Sequence, residues 1–252
     1  MRLVRFEGKN GPAWGVCRGE SVHEAGNPFQ KISFGKNVGP VKTLKLLAPC
    51  DPRKVVALAY NYKDLVGKKE KYDEPLVFFK SPSGVIGPRE PVRIPVGIET
   101  VWVEVELAFV IKKKAKNVPV SRAKDFILGY TVANDVTALN VHGRDWHLAR
   151  SKALDTFCPT SPFLETETDA RRLSLTTEIN GRLTQNGTTA NRIFDDARTL
   201  SFVSRFFTLE PGDLVLTGTP AGARQSLVRP GDTVKLKIGG LGELVNRIER
   251  AA

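Results

Sequence analysis

The sequence has 252 residues, of which 41% are hydrophobic and 26% are charged. These proportions are ordinary for globular proteins and exclude a disordered or fibrous chain. The length suits one domain, or one domain with a small appendage. No apolar run approaches the ~20 residues of a membrane-spanning helix. Charges within residues 1–7 leave no apolar core for an export signal. We therefore expect a cytoplasmic protein without a membrane partner.

The cysteine content indicates the redox state of the thiols, and the net charge bears on the possible partners. Cys17, Cys50 and Cys158 are odd in number and far apart, which is typical of reduced thiols rather than disulfides or a zinc site. A net charge of +11 raises nucleic acid as a partner. The basic residues are spread along the chain, however, and the lysine run at 112–116 has no nucleic-acid-binding motif beside it. We expect no nucleic-acid partner; the charge favours small polyanions such as dicarboxylates.

Short strands separated by turn residues are predicted in the first ~48 residues, as at 3–7 and 13–17. Two closely spaced prolines at 48–52 predict an extended linker. The sequence therefore predicts a small N-terminal β-subdomain over residues 1–50 and a catalytic domain over residues 51–252.

Beyond the linker, apolar runs predict further strands, at residues 55–59, 76–80, 101–111, 130–133, 173–180, 214–217 and 233–238. Residues 137–153 are polar and predicted to be partly helical. Apolar residues at helical spacing predict a helix within 194–207, with Asp195 or Asp196 as its N-cap. Strands dominate and no βαβ alternation occurs. We predict a mainly β fold with few helices (α+β), in mixed and largely antiparallel sheets.

Two glutamates stand on one face of the predicted strand 101–111. Glu104 and Glu106 share that face with Trp102, and side chains two apart on a strand can converge on one cation. The alternative is that this face is exposed to solvent and both glutamates are solvated, which is common in antiparallel sheets. From this strand alone, the solvated alternative is favoured.

A third acid changes this balance. Asp135 ends the apolar segment 129–137. Three carboxylates without Cys or His make an oxygen-ligand site that suits Mg²⁺ or Mn²⁺.

Several other residues have simple structural interpretations. Trp102 and Trp146 are expected to pack, His142 and His147 to lie at the surface, and Cys158 to be structural.

Six segments in order give the chain a family resemblance: Asn61-Tyr62-Lys63-Asp64; Phe78-Phe79-Lys80-Ser81-Pro82-Ser83 with Ile86-Gly87-Pro88; Glu104-Val105-Glu106-Leu107; Asn134-Asp135-Val136-Thr137; Lys152-Ala153-Leu154-Asp155-Thr156-Phe157; and 209–213 through Thr217-Gly218-Thr219-Pro220. They resemble the fumarylacetoacetate hydrolase family over roughly residues 52–250. The short N-terminal part resembles the bacterial branch of homoprotocatechuate degradation. Its members decarboxylate 5-carboxymethyl-2-oxo-hex-3-ene-1,7-dioate and isomerise 2-hydroxyhepta-2,4-diene-1,7-dioate.

The resemblance implies a mixed β-roll fold, usually in homodimers, and roles for particular residues. Glu104, Glu106 and Asp135 match ligands of Mg²⁺ or Mn²⁺, on which a 2-oxo-dicarboxylate substrate chelates. Lys152 matches a lysine that holds the enolate oxyanion. The matches to substrate-binding or site-lining residues are Tyr62, Lys80, Gly218 and Thr219.

Two departures from the family pattern bear on the reaction. Hydrolytic members carry His and Glu, which activate water, where this chain has Leu65 and Lys68. Relatives often have Arg-Asp where this chain has Leu139-Asn140, a stretch that faces the substrate. We therefore expect a decarboxylase/isomerase of a 2-oxo or 2-hydroxy-diene dicarboxylate. The alternatives are an acylpyruvate or fumarylacetoacetate-type hydrolase with another base (His142, His147 or Glu70), and a family member that binds metal and oxo-acid with little activity.

Overall fold

Strands make up most of the regular structure in the computed structural model, which describes residues 1–67, 72–140 and 143–251. In chain order the strands are β1 Arg2–Gly8, β2 Gly11–Arg18, β3 Ser21–Ala25, β4 Phe34–Pro40, β5 Val55–Ala59, β6 Leu76–Lys80, β7 Val85–Ile86, β8 Val92–Ile94, β9 Val101–Trp102, β10 Val105–Ile111, β11 Ile127–Asn134, β12 Thr137–Ala138, β13 Cys158–Pro159, β14 Phe163–Glu165, β15 Ser174–Ile179, β16 Arg182–Thr188, β17 Leu214–Leu216, β18 Leu227–Val228, β19 Thr233–Ile238 and β20 Gly242–Arg250.

The described helices are short. The α-helices are α1 Lys63–Val66, α2 Ala149–Lys152 and α3 Asp196–Phe206, and the 3-10 helices are Val41–Thr43, Pro82–Gly84, Val120–Phe126, Thr189–Asn191 and Ala223–Gln225. The predicted N-cap of α3 is confirmed, because the Asp195 side chain accepts from the Arg198 N–H at 2.8 Å. Across the described segments, no helix combines the length and the apolar character needed to cross a membrane.

Two large sheets organise the described chain. One has ten strands in the order β4-β3-β2-β1-β14-β11-β10-β17-β5-β6, and the other has five in the order β16-β15-β19-β20-β8. Most neighbouring strands are antiparallel, whereas β17–β5 and β20–β8 are parallel. The predicted mainly β fold with mixed sheets is therefore confirmed.

The N-terminal strands belong to the ten-stranded sheet. β1 pairs with β14 in antiparallel register, with Leu3 opposite Leu164. These strands also have a small apolar cluster of their own around Val4, Phe6 and Val22. The first fifty residues thus extend the sheet that leads toward β10, and the domain boundary near residue 50 stays a prediction.

The segment predicted as one strand at 101–111 is divided. β9 ends at Trp102 and β10 begins at Val105, and between them the Val103 N–H donates to Ser226 O and the Glu104 N–H donates to Asn134 Oδ1. β10 is buried on both faces, which rules out the alternative of a solvent-exposed glutamate face; the exposed fraction is 9% for Glu104 and 1% for Glu106. The packing role predicted for Trp146 was wrong, because its side chain is 85% exposed.

Candidate active site

Three carboxylates converge at one edge of the β10–β11 pair. Glu104 lies in the break between β9 and β10, Glu106 is the second residue of β10, and Asp135 directly follows β11. The pairing of Val105 with Asn134 sets the start of β10 beside the end of β11. One oxygen atom of each carboxylate lies within 4.8 Å of the others. The structure therefore brings together the three predicted metal ligands, whose role as ligands stays a prediction.

An uncharged N–H group donates to each glutamate. The Trp102 indole N–H donates to Glu104 Oε1 at 2.6 Å, and the Gly218 backbone N–H donates to Glu106 Oε2 at 2.6 Å. Gly218 has φ +88°, and a Cβ atom there would lie 3.0 Å from the Asn61 Cβ. Glycine at this position therefore allows both the backbone conformation and the close approach to the carboxylate.

Two lysines hold Asp135 between them. Lys152 Nζ lies 2.5 Å from Asp135 Oδ2 and 3.1 Å from Glu104 Oε2. Lys80 Nζ lies 2.5 Å from Asp135 Oδ1 and also donates to the Lys152 carbonyl oxygen at 2.6 Å. Lys80 thus positions both the acid and the end of α2 that carries the second lysine.

Burial and neighbouring charges give the acids different protonation preferences. Burial raises the pKa of Glu104, and it raises the pKa of Glu106 further because Asp135 and Glu104 add negative charge. Burial opposes the charged form of Asp135 as well, but Lys152 and Lys80 lower its pKa below the usual value. Burial likewise opposes the Lys152 ammonium, and the adjacent Asp135 and Glu104 carboxylates still raise its pKa. Lys152 therefore stays protonated and acts as a donor.

This donor set fits a hard divalent cation. All three converging groups are carboxylates, which Mg²⁺ and Mn²⁺ prefer as ligands. Three carboxylates face only two ammonium groups, and Glu106 forms no ion pair with any described residue. Buried charge without a partner is costly. A bound cation at this point would offset that cost.

A cavity of about 270 Å³ opens over the carboxylates. Its lining residues are Leu58, Ala59, Tyr60, Leu65, Phe78, Trp102, Glu104, Glu106, Asp135, Thr137, Ala138, Leu139, Asn140, Leu148, Ser151, Lys152, Thr219, Ala223 and Arg224. Of the four residues predicted to contact substrate, only Thr219 lines this space. Tyr62, Lys80 and Gly218 are buried or outside the lining; Lys80 contacts Asp135 and Gly218 contacts Glu106, and their role in substrate binding stays a prediction.

Gln185, which no sequence pattern singled out, holds Thr219. Its Nε2 donates to Thr219 Oγ1 at 2.9 Å, while its Oε1 accepts the Val105 N–H at 3.1 Å. Thr219 in turn donates to the Val105 carbonyl at 3.0 Å. Gln185 comes from β16 of the five-stranded sheet, and nothing in its local sequence pattern distinguishes it from other polar residues of that strand.

Trp102 has a larger role than the packing predicted for it. It lines the cavity, orients Glu104, and carries the guanidinium of Arg224 over its ring at 4.6 Å from the centroid. The alternation of residues 101–111 contained a signal for this role, since it put Trp102 on the glutamate face. Nothing in the sequence singled out Arg224.

The candidate bases of a hydrolytic reaction are not among the described lining residues. Leu65 lines the cavity where hydrolytic relatives carry His, and His147 is exposed and outside the lining. Lys68 and the alternative bases Glu70 and His142 lie outside the described residues.

Comparison with known families gives two matches that together span most of the chain. A model described as fumarylacetoacetate (FAA) hydrolase C-terminal matches residues 54–249, which include every residue of the site. A second model, described as Rv2993c-like, N-terminal, matches residues 1–49.

Individual relatives extend this result. Mitochondrial oxaloacetate tautomerase fahd2 of Xenopus laevis is 38% identical over 220 residues, covering 81% of this chain and 68% of that protein. The crystal structure of 5-carboxymethyl-2-hydroxymuconate delta-isomerase from Mycobacterium smegmatis is 36% identical with a TM-score of 0.91, over 100% of both chains. That of 2-hydroxyhepta-2,4-diene-1,7-dioate isomerase from Mycobacterium marinum is 36% identical with a TM-score of 0.90, over 100% of this chain and 99% of that one.

Proposed function

The chain belongs to the fumarylacetoacetate hydrolase family, and on that premise we propose that it is a divalent-metal-dependent isomerase or lyase. Its substrate class is a dicarboxylic 2-oxo acid or the corresponding 2-hydroxy-diene. The activities named for the relatives support this class, since two are diene-dioate or muconate isomerases and one is an oxaloacetate tautomerase. Decarboxylation beside the keto group belongs to the same proposal, because it shares an enolate with isomerisation.

One observation carries the proposal: a protonated lysine stands beside three converging carboxylates at the base of a cavity. Lys152 Nζ contacts both Asp135 and Glu104, and its ammonium group and all three acids line the same space. An oxyanion that develops next to such a donor is stabilised by a charge-assisted hydrogen bond.

Glu104, Glu106 and Asp135 would hold the Mg²⁺ or Mn²⁺ ion. When bound there, the ion supplies Lewis-acid polarisation of the substrate's keto group. Lys152 would donate a hydrogen bond to the enolate oxygen, and Lys80 would keep Lys152 and Asp135 in place. Apolar lining residues such as Phe78 and Leu58 would exclude water and so strengthen these charge interactions.

The lining residues also favour isomerisation or decarboxylation over C–C hydrolysis. Hydrolysis requires a base that activates a water molecule. Apart from the three carboxylates, the acid–base groups among the described lining residues are Lys152, Tyr60 and Arg224, none of which is a carboxylate or imidazole. Loss of CO₂ needs an electron sink and then a proton from solvent at the carbon that CO₂ leaves, and tautomerisation moves a proton between carbon and oxygen; neither reaction adds a water molecule to the substrate.

Initial rates on two substrates with added Mg²⁺ test the proposal. We expect measurable enol–keto conversion or decarboxylation of oxaloacetate, and negligible cleavage of acetylpyruvate. Acetylpyruvate hydrolysis at a comparable rate would replace the reaction assignment with a hydrolase. Binding of oxalate without turnover of either substrate would support the second alternative, a family member that binds metal and oxo-acid with little activity.

A further inference from the structure

The mouth of the cavity carries a cation, Arg224, to which the proposed function assigns no role. Arg224 and Lys152 are the cationic residues of the described lining. Lys152 is bound to Asp135 and Glu104, whereas Arg224 forms no ion pair with any described residue and stacks over Trp102 instead. Among the residues that the structure describes, none accepts a hydrogen bond from its guanidinium, so these donors are open to a ligand.

The backbone that presents Arg224 is well fixed. Gly222, at φ +103°, lies so close to the neighbouring strand that a Cβ there would be 2.6 Å from Thr184 O. Ser226 closes the turn by donating to the Gly222 carbonyl at 3.0 Å, and its own carbonyl accepts the Val103 N–H at 3.1 Å. The turn is thus tied to the segment that carries Glu104, and the position of Arg224 is set relative to the carboxylates.

The indole of Trp102 contacts both a carboxylate and the Arg224 guanidinium. Its ring edge donates to Glu104, and its ring face supports Arg224 at 4.6 Å. A ligand bound at the carboxylates by one end would therefore pass along the indole before it reached the guanidinium. That arrangement suits a chain of a few carbon atoms with an anionic group at each end.

The charge balance points to the same ligand. Glu104, Glu106 and Asp135 against Lys80 and Lys152 leave one negative charge. A divalent cation would reverse that charge, and the carboxylate of a 2-oxo acid head would neutralise it. A second carboxylate on the ligand therefore needs its own cation, and a guanidinium fork matches carboxylate geometry.

We propose that Arg224 forms a second carboxylate subsite, which takes the distal carboxylate of a dicarboxylic 2-oxo acid and sets the specificity for dicarboxylates. This inference rests on the proposed function. It also assigns the far end of the substrate to a residue outside the Leu139-Asn140 stretch, where relatives often have Arg-Asp.

Calorimetric binding to the Mg²⁺-loaded protein tests the subsite with a matched ligand pair. 2-Oxopentanedioate and 2-oxopentanoate share a head and a chain length and differ only in the distal carboxylate. We expect wild type to prefer the diacid, and Arg224→Gln to weaken diacid binding about tenfold while monoacid binding stays within about twofold. Arg182→Gln, an exposed arginine outside this cavity, is the control and should change neither affinity.

The remaining outcomes distinguish failure of the Arg224 subsite from failure of the proposed function. Equal weakening of both acids, or no change in either, would overturn the subsite. Wild-type protein that binds neither acid would overturn the subsite and the proposed function together. Selectivity that disappears in Arg224→Gln, in a protein that does not turn over oxaloacetate, would support the subsite and contradict only the proposed reaction.

Discussion

The Lys152 ammonium lies 2.5 Å from Asp135 Oδ2, an ion pair between the last residue of α2 and the residue that follows β11. Both partners are almost completely buried, and the lysine reaches Glu104 as well. A buried cation in such a cavity can stabilise negative charge that develops on a bound ligand, because the low local dielectric strengthens their interaction. The first prediction tests this relationship.

Replacing Lys152 with Met should lower kcat far more than it raises KM. A donor that acts mainly on the developing oxyanion stabilises the transition state more than the bound substrate, and loss of such a donor costs about 100-fold in kcat. Steady-state kinetics on oxaloacetate at saturating Mg²⁺ measures this. Lys235→Met, at a surface ion pair with Glu178 outside the cavity lining, is the matched control. An unchanged kcat in Lys152→Met would remove this lysine from the mechanism.

Replacing Glu106 with Gln should abolish stabilisation of the fold by Mn²⁺ without weakening the metal-free protein. Glu106 is buried, its pKa is raised well above normal by burial and by the neighbouring acids, and it forms no ion pair with the described residues. Its carboxylate therefore disfavours the metal-free fold, and an isosteric amide removes that cost.

Thermal unfolding with and without Mn²⁺ measures this effect. Wild type should gain about 2.7 kcal/mol when Mn²⁺ exceeds its Kd by about 100-fold, and Glu106→Gln should gain little. Glu178→Gln, a partly exposed glutamate of the five-stranded sheet, should behave as wild type. A large loss of stability in metal-free Glu106→Gln would show that the carboxylate has a structural role instead.

Gly218→Ala should destabilise the fold more than a matched change at a glycine with open space. Gly97 has a similar φ, +84° against +88°, but has nothing within 4 Å of the added Cβ, whereas the Cβ at Gly218 would meet Asn61 at 3.0 Å. We expect about 1 kcal/mol of destabilisation for Gly97→Ala, from the positive φ alone, and at least about 2 kcal/mol for Gly218→Ala. Urea unfolding measures both. Equal losses would mean that the neighbours of Gly218 relax freely.

The three thiols should react slowly with alkylating reagents in the native protein. Burial raises the pKa of Cys17 to about 11 and of Cys158 to about 12, and it raises that of Cys50 as well. A raised pKa means that little thiolate, the reactive form, exists at neutral pH, so the rate should increase only as the pH approaches these values. Mass spectrometry after iodoacetamide treatment at pH 7 should show little modification of the folded protein and three adducts after unfolding.

Local sequence determined much of the strand and helix content, because its causes lie within a few residues. Short apolar runs predicted β5 and β6 with their observed bounds, and Asp195 was one of the two residues predicted to cap α3. The chemical character of the site was also local, since Glu104, Glu106 and Asp135 could be recognised by residue type and by family pattern. The strand 101–111 shows the limit: its alternation left open whether the glutamate face is solvated or holds a site, and the residues that bury the strand come from distant parts of the chain.

Contacts between distant parts of the chain bring these groups together. Pairing of β10 with β11 brings Asp135 to the two glutamates, and α2 then delivers Lys152 to the same point. Lys80 ends a strand in sequence, but packing puts it behind Asp135 rather than in the cavity. Arg224 reaches the mouth because its turn is tied to the break before β10. These positions depend on contacts between residues far apart in sequence, which no local pattern of side chains encodes.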